Sequence, residues 1–397
     1  MTDVPEIRYA RNGDVALAYQ VLGEAPIDLV YVPAWVGNLE IAWENPAYAR
    51  FLRYLASFSR LITLDRRGTG LSDRLSPRDL PPPEVLMEDL AVVMDAAGSE
   101  RAVLFGGSDP GCLCALFAAT YPDRTAGLIA FAIAAVGTAK EDYRWLQWDQ
   151  ERWDRYLAEM ASGWGTESYA AELFDVSAPS TVGDVEQRRW WARMQRLSAS
   201  PNSATTIERI WAQIDIRPVL PTIQSPTLVL HRTGDRVEQV EAGRDFARRI
   251  PGARFVELAG EDWIIWTGDQ AALLGEIETF VRSIRDEQAE LDRVLATVDG
   301  PARAVHCARA IAEAVRALGL EIRAGVHTGE IELAGEDVRG IAVHIGARVA
   351  ALAGPGEVLV SSTVKDLVAG SRLSFEDECE HELKGVPDRW RLYRVIG

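Results

Sequence analysis

The sequence predicts an α/β fold, with a doubly wound, mostly parallel sheet, a helical cap and a small α+β segment at the end of the chain. Short apolar runs alternate with helical patterns over residues 1–139 and again over 216–285, which is typical of parallel sheets covered by helices. Residues 140–215 carry helical patterns only. A charged, helix-forming connector, 286–298, precedes the α+β segment, 299–397.

The first part of the sheet begins with a predicted hairpin, because Asn12-Gly13 favours a tight turn between two strand-like stretches. The strands that follow are short apolar runs of the buried type. In chain order we predict strands 7–11, 15–21 and 27–32, helix 47–57, strand 61–64, helix 85–97, strand 102–105, helix 112–121 and the apolar run 127–135.

The predicted cap holds seven of the chain's twelve tryptophans. Because open α/β sheets bind ligands at the carboxyl ends of their strands, a helical insertion between two halves of a sheet is expected to cover that edge. The alternation then resumes with strand 227–231, helix 240–250, strand 254–258 and helix 271–284.

Composition and charge exclude several classes of function. Lys and Arg total 42 against 59 Asp and Glu, giving a formal charge of −17, which opposes binding to nucleic acid or anionic membranes. The N-terminus shows no secretory signal, and the longest apolar run, 126–137, is too short to span a bilayer. The four cysteines form no metal-ligand or disulfide pattern. We expect a soluble, reduced, cytoplasmic protein with no cofactor and no metal site.

The motif GGSDPG at 106–111 directly follows a predicted strand and begins a helix. A strand, a tight turn, a serine and a helix form the context of a nucleophile elbow, in which Ser108 is exposed and the helix N-terminus stabilises negative charge. The alternative is an ordinary turn in which Ser108 only caps the helix.

Around this motif the chain resembles the α/β-hydrolase family. The resemblance covers residues 1 to about 285 and also includes VPAW at 32–35, LDRRGTGLSD at 64–73, AATYP at 118–122 and LHRTGD at 230–235. It implies Ser108 as the nucleophile and Asp235 as the acid of a catalytic triad. It further implies an oxyanion hole formed by the backbone N–H groups of Asp109 and Trp35.

The chain departs from the family where the triad histidine is expected. The stretch GEDWIIW at 260–266 places Trp263 there, and His231 is the sole histidine of the hydrolase-like portion. An indole N–H cannot accept the serine proton, so the triad has no conventional base. We expect His231 to pack or form a hydrogen bond near Asp235. A carboxylate could serve as a substitute base if burial raised its pKa, and the alternative is a solvated or structural role; the candidates are Asp235, Glu261 and Asp262.

The C-terminal segment resembles the class III nucleotide cyclase domain, as in bacterial hydrolase–cyclase fusions. Its predicted elements are helix 302–318, strand 321–326, helix 343–352, strand 357–361 and the pair 373–376 and 389–395, and its family motifs are RAGVHTGE at 323–330, GIAVHIGARV at 340–349, PGEVLVS at 355–361 and HELKG at 381–385. Arg348 matches the family's transition-state arginine. The two metal-binding aspartates and the purine-selecting lysine are absent, so we predict a truncated domain without cyclase activity.

These observations lead to one preferred function and two alternatives. We predict an enzyme that acts on a bulky, hydrophobic, aromatic or polycyclic small molecule by a non-hydrolytic reaction: carbon–carbon bond formation, cyclisation or elimination at a retained oxyanion hole. The alternatives are a serine esterase or lactonase with an unconventional base, and a non-catalytic small-molecule sensor. A homodimer is left open.

We predict five tryptophans to bind the substrate, since indole rings supply flat apolar walls. For those in the cap, ordinary helix packing is the alternative. The five are Trp35, Trp145, Trp148, Trp263 and Trp266.

Overall fold

The computed structural model describes residues 4–75, 81–138, 140–143, 145, 149–291, 298–316, 321–334, 337–383 and 386–396. The chain forms two compact units, Met1–Asp292 and Arg293–Gly397. The predicted cap belongs to the first unit. The predicted connector spans the division between the two units, and its residues 292–297 lie outside the described residues.

The first unit is built on an eight-stranded sheet in the order β1-β2-β4-β3-β5-β6-β7-β8. Strands β3 to β8 are parallel, whereas β2 is antiparallel to both β1 and β4. Gly13 takes a φ of +60° in the hairpin between β1 and β2, as the Asn-Gly pair predicts. The strands are β1 Arg8–Asn12, β2 Val15–Leu22, β3 Asp28–Val32, β4 Arg60–Leu64, β5 Ala102–Gly107, β6 Thr125–Phe131, β7 Thr227–Arg232 and β8 Arg254–Leu258.

Nine helices of the first unit are described, and the predicted alternation with strands is confirmed. Strands β5, β6 and β7 are buried along their whole length, as expected for parallel strands covered on both faces. The helices are α1 Pro46–Phe58, α2 Pro83–Ala96, α3 Ser108–Thr120, α4 Gln150–Gly163, α5 Glu167–Ser177, α6 Val185–Ser198, α7 Pro201–Ala212, α8 Val240–Arg249 and α9 Gln270–Leu291.

The cap consists of α4 to α7, inserted between β6 and β7. Each of the four helices begins directly after a side chain that accepts a hydrogen bond from its first turn: Asp149, Thr166, Asp184 and Ser200. Among the described residues, no helix is long and apolar enough to cross a membrane.

The second unit is an α+β structure around a four-stranded sheet in the order β13-β14-β12-β9. A separate hairpin, β10–β11, and the short helix α12 have no counterpart in the sequence prediction, because three-residue strands carry too little periodicity to be recognised. Its elements are α10 Pro301–Arg316, β9 Ala324–Val326, β10 Glu332–Ala334, β11 Asp337–Arg339, α11 Ile341–Leu352, β12 Val358–Ser361, α12 Ser362–Leu367, β13 Ser374–Glu382 and β14 Arg389–Ile396.

Candidate functional site

Ser108 lies at the junction of β5 and α3 in a strained backbone conformation. Its φ is +51°, a left-handed value that a serine rarely adopts and that a nucleophile elbow requires. The strand and helix approach closely at Gly106, where a Cβ atom would lie 2.7 Å from backbone atoms of Pro110. Pro110 sits in the first turn of α3, where its missing N–H is not needed. The serine is therefore presented as an elbow nucleophile would be.

A cavity of about 630 Å³ opens on Ser108 and Asp109. Its volume falls within the range of ordinary small-molecule pockets. Seven aromatic side chains line it, from both the sheet edge and the cap: Trp35, Trp153, Tyr156, Tyr169, Trp191, Trp211 and Trp263. A second, smaller cavity of about 40 Å³ also reaches Ser108.

The predicted substrate-binding tryptophans occupy different places. Trp35 and Trp263 line the large cavity, and Trp266 lines the small one, together with Ser108. Trp145 is half-buried, packs against the hydrophobic core and is not among the residues lining either cavity, so the described cavity walls give its predicted role no support. Trp148 lies outside the described residues.

The carboxylate of Asp109 accepts hydrogen bonds from both backbone N–H groups of the predicted oxyanion hole. The backbone N–H of Trp35 donates to Oδ1 of Asp109 at 3.3 Å, and the Asp109 carboxylate also accepts from its own N–H. Arg66 pairs with Oδ2 of Asp109 at 2.7 Å and donates to the carbonyl oxygen of Trp35. Burial raises the pKa of Asp109, and the Arg66 charge opposes that rise. Both backbone donors exist, but the Asp109 carboxylate occupies them.

Trp263, the residue predicted to stand where the family's histidine is expected, lines the cavities that reach Ser108. Its backbone N–H donates to the carbonyl oxygen of Ser177 at 2.8 Å. The indole Nε1 is buried and has no hydrogen-bond partner. None of the described residues that line the large cavity is a histidine.

Asp235 keeps the turn of a triad acid. Oδ1 accepts the N–H groups of Val237 and Glu238 at 2.8 and 3.1 Å, whereas Oδ2 is buried without a hydrogen-bond partner. Burial raises the pKa of Asp235 to about 7. His231 lies close by, with Nε2 3.0 Å from the carbonyl oxygen of Glu238 and 3.7 Å from Oδ2 of Asp235. Burial lowers the pKa of His231 to about 4, so it is neutral and serves the packing role that its position suggests.

Two of the three carboxylates considered as substitute bases have structural partners. Glu261 is exposed and pairs with Arg236. Asp262 is buried and accepts the backbone N–H of Ser180 at 2.9 Å and the hydroxyl of the same residue. Neither lines the large cavity.

Two half-buried glutamates on the cavity wall have no role in the sequence-based predictions. Glu208, on α7, accepts the indole N–H of Trp35 at 2.6 Å. Burial and the Asp109 charge raise the pKa of Glu208 to about 8, and burial and the Asp235 charge do the same for Glu238. Glu208 stands among ordinary residues of a cap helix, so nothing in the sequence marks it. Glu238 follows Asp235 by three residues, and its position beside the triad acid was the available signal.

Arg232 fixes the loop that carries Trp263. Its side chain is fully buried at the end of β7, and its guanidinium donates to four backbone carbonyl oxygens at 2.7 to 3.4 Å. The four acceptors belong to Asp262, Ile264, Ile265 and Thr267. The indole thus stands on a rigidly supported loop.

Comparison with known proteins decides the family. The family model described as alpha/beta hydrolase fold matches residues 29–269, more than half of the chain. The chain belongs to the α/β-hydrolase family. The match contains the elbow, the cap and the loops of Asp235 and Trp263.

Several relatives of this chain are named as esterases. The chain is 25% identical over 267 residues to the pimeloyl-[acyl-carrier protein] methyl ester esterase of Vibrio atlanticus, covering 66% of this chain and 95% of the relative. It is 33% identical over 104 residues to a Rhizobium meliloti protein designated adenylate cyclase 3, covering 24% of this chain and 18% of that protein. Among solved structures, bromoperoxidase from Bacillus anthracis superposes with a TM-score of 0.60 at 18% identity, covering 71% of this chain and all of that one.

Proposed function

We propose that the hydrolase-fold unit binds a bulky, largely apolar, aromatic small molecule in the elbow cavity without hydrolysing it. The observation that carries this proposal is the hydrogen bond from the Trp35 N–H to the Asp109 carboxylate. An oxyanion hole accelerates acyl transfer only when its donors face the developing oxyanion. Here a second negative oxygen would have to displace, or lie against, the Asp109 carboxylate.

The position of the base supports the same proposal. With Trp263 beside Ser108, the described cavity wall has no imidazole to take the serine proton. Loss of the base from a serine hydrolase costs orders of magnitude in turnover. The cavity itself is intact and wide enough for a drug-sized ligand, and seven aromatic rings on its wall favour a flat apolar one.

Ester hydrolysis is the second candidate. It is favoured by the relatives that are named as esterases and by Glu238, a half-buried residue whose carboxyl has a raised pKa, on the wall that also carries Ser108. A carboxyl with a pKa near neutrality can act as a general base. This candidate requires Glu238 to act on Ser108 while Asp109 leaves the two backbone donors.

The predicted non-hydrolytic reaction is a third outcome to be tested. Carbon–carbon bond formation, cyclisation or elimination at the oxyanion hole needs the same donors that Asp109 now occupies. The named relatives given above lend it no support.

The test compares wild type with Ser108→Ala on an aryl ester. Naphthyl butyrate and its non-hydrolysable ether analogue are titrated by calorimetry, and naphthol release is followed in parallel. We expect saturable binding of both compounds to both proteins, with no naphthol release above the Ser108→Ala rate. Turnover lost in Ser108→Ala would establish the esterase instead. A ligand recovered with altered mass but intact ester would establish a non-hydrolytic enzyme, and absence of saturable binding would refute the pocket.

A further inference from the structure

We infer that the elbow cavity selects a hydrophobic organic cation: an aromatic or polycyclic molecule carrying an ammonium group. This inference rests on the proposed binding function and names the ligand class for the same cavity. Two features of the cavity wall support the inference. The wall carries carboxyl groups without cationic partners, and it carries several aromatic rings.

The charges of the cavity wall are unbalanced. Five carboxyl side chains line it (Asp109, Glu159, Glu172, Glu208 and Glu238) against two guanidinium groups, those of Arg152 and Arg236. Asp109 is paired with Arg66 from behind the wall, and Arg236 is paired with Glu261. Acidic groups are therefore in surplus on the wall, and they include the two half-buried glutamates, Glu208 and Glu238.

Glu208 and Glu238 have no cationic partner among the described residues. Glu208 accepts hydrogen bonds from two neutral donors, the indole N–H of Trp35 and the hydroxyl of Tyr156, and the Oε2 atom of Glu238 is buried without any hydrogen-bond partner. A buried carboxyl group left in this state is costly unless it stays protonated or receives a counter-ion. Burial accordingly raises the pKa of each glutamate, because it disfavours the charged carboxylate. A ligand ammonium would supply the missing partner.

The aromatic rings of the cavity wall also favour a positively charged ligand. Rings of Trp and Tyr attract a cation placed over their faces, more strongly when water is excluded. Trp35 joins the two features, because its ring lines the cavity and stacks on Trp191 at 5.6 Å, while its indole N–H is bound to Glu208. The chain's formal charge of −17 would also attract cations to the cavity mouth.

The test uses two ligands of the same shape in the full-length protein. One is dibenzyldimethylammonium, and the other is the neutral hydrocarbon in which carbon replaces its nitrogen. Binding is measured by quenching of tryptophan fluorescence for wild type, Glu208→Gln, Glu238→Gln and the control Glu88→Gln. Glu88 is an exposed carboxylate on α2 that does not line the cavity. Glutamine has the shape of the protonated acid, so these variants are expected to fold, which thermal unfolding checks.

We expect the cation to bind wild type and Glu88→Gln about tenfold or more tightly than the hydrocarbon. In Glu208→Gln and Glu238→Gln the preference should fall to about threefold or less, while the hydrocarbon binds unchanged. Equal binding of both ligands to wild type would overturn the inference and leave the pocket proposal standing. Failure of both to bind would count against the pocket as well.

Discussion

The elbow loop after β5 and the loop after β8 differ in which features of the family's catalytic site they retain. At the elbow, Ser108 retains the strained backbone of a nucleophile, but the adjacent Asp109 fills the anion site that the turn creates. After β8, the loop is still clamped by Arg232, yet it delivers the indole of Trp263 in place of an imidazole. Under the proposed function, the backbone of each loop persists while one side chain, Asp109 or Trp263, prevents catalysis.

Two buried polar atoms at the expected triad have no hydrogen-bond partner. Oδ2 of Asp235 is a buried acceptor without a donor, and Nε1 of Trp263 is a buried donor without an acceptor. In a working triad, the acid accepts a hydrogen bond from the histidine. The unpartnered Asp235 oxygen is what our proposal expects of a triad acid whose histidine has been replaced. A cavity that binds without reacting could tolerate both unpartnered atoms.

The largest predicted effect is on the reactivity of Ser108 when one residue is replaced in each of the two loops. Trp263→His should provide a base, and adding Asp109→Ala should free the backbone donors of the oxyanion hole. We expect the double variant to react with a fluorophosphonate at Ser108 about 10²-fold faster than Trp263→His alone, the usual contribution of one oxyanion donor. The rates are measured by intact mass over time. Equal rates in the single and double variants would show that Asp109 does not block the hole.

The next effect tests the scaffold of the Trp263 loop. Arg232→Met removes a buried guanidinium and leaves four backbone carbonyl groups without their donor. We expect a loss of about 3 kcal/mol or more in the free energy of unfolding, seen as a lower midpoint of the hydrolase unit's calorimetric transition. The control, Arg244→Met, removes an exposed ion pair with Glu257 and should cost under about 1 kcal/mol. Equal losses would mean that Arg232 is not a specific clamp.

A smaller effect concerns pH. The pKa of Glu208 and Glu238 is raised from 4.5 to about 8, so the folded state retains protons that the unfolded state has lost. Stability therefore falls as pH rises between these values, by at most about 1.4 kcal/mol per pH unit for each group. His231, whose pKa is lowered from 6.5 to about 4, opposes this trend only below 6.5.

We therefore expect the unfolding midpoint to fall as pH rises from 6.5 towards 8, and Glu238→Gln to reduce that fall. The measurement is calorimetry of wild type, Glu238→Gln and Glu88→Gln across this interval. If stability is independent of pH there, or if Glu88→Gln flattens the profile equally, the two cavity glutamates are not responsible.

The smallest predicted effect is on ligand affinity, compared between a tryptophan of the cavity wall and one that packs on the core. Trp145→Phe should change the affinity for an aromatic ligand by less than about twofold, because Trp145 packs on the core and is not among the residues that line the cavity. Trp191→Phe, which alters a ring stacked on Trp35, should weaken binding about threefold or more. Calorimetric titration of both variants with the same ether decides between them, and a reversed order would place the ligand elsewhere.

The sequence was sufficient for the fold because its strongest signals are local. The Asn-Gly turn, the apolar runs and the serine between a strand and a helix each depend on near neighbours, and their bounds agree with the structure within a few residues. The position of Trp263 followed from the resemblance to the α/β-hydrolase family.

The decisive contacts of the site are long-range, and this is why the sequence did not indicate them. Asp109 reaches Trp35 across 74 residues, and Trp35 reaches Glu208 across 173. No pattern marks Glu208 or Arg232, because burial alone turns an ordinary glutamate into a group with a raised pKa and an ordinary arginine into a loop clamp. Asp109 was considered for its backbone N–H, whereas its carboxylate decides what that N–H can do.

We propose above all that Ser108 sits in a preserved elbow whose cavity binds a ligand, and that Ser108 does not attack that ligand. The most direct measurement is intact mass after wild type and Ser108→Ala are incubated with a fluorophosphonate that is much smaller than the cavity. We predict no added mass on either protein over the time in which a serine hydrolase is fully labelled. Rapid addition of one phosphonyl group to wild type, absent from Ser108→Ala, would contradict this prediction and make this chain a hydrolase with an unrecognised base.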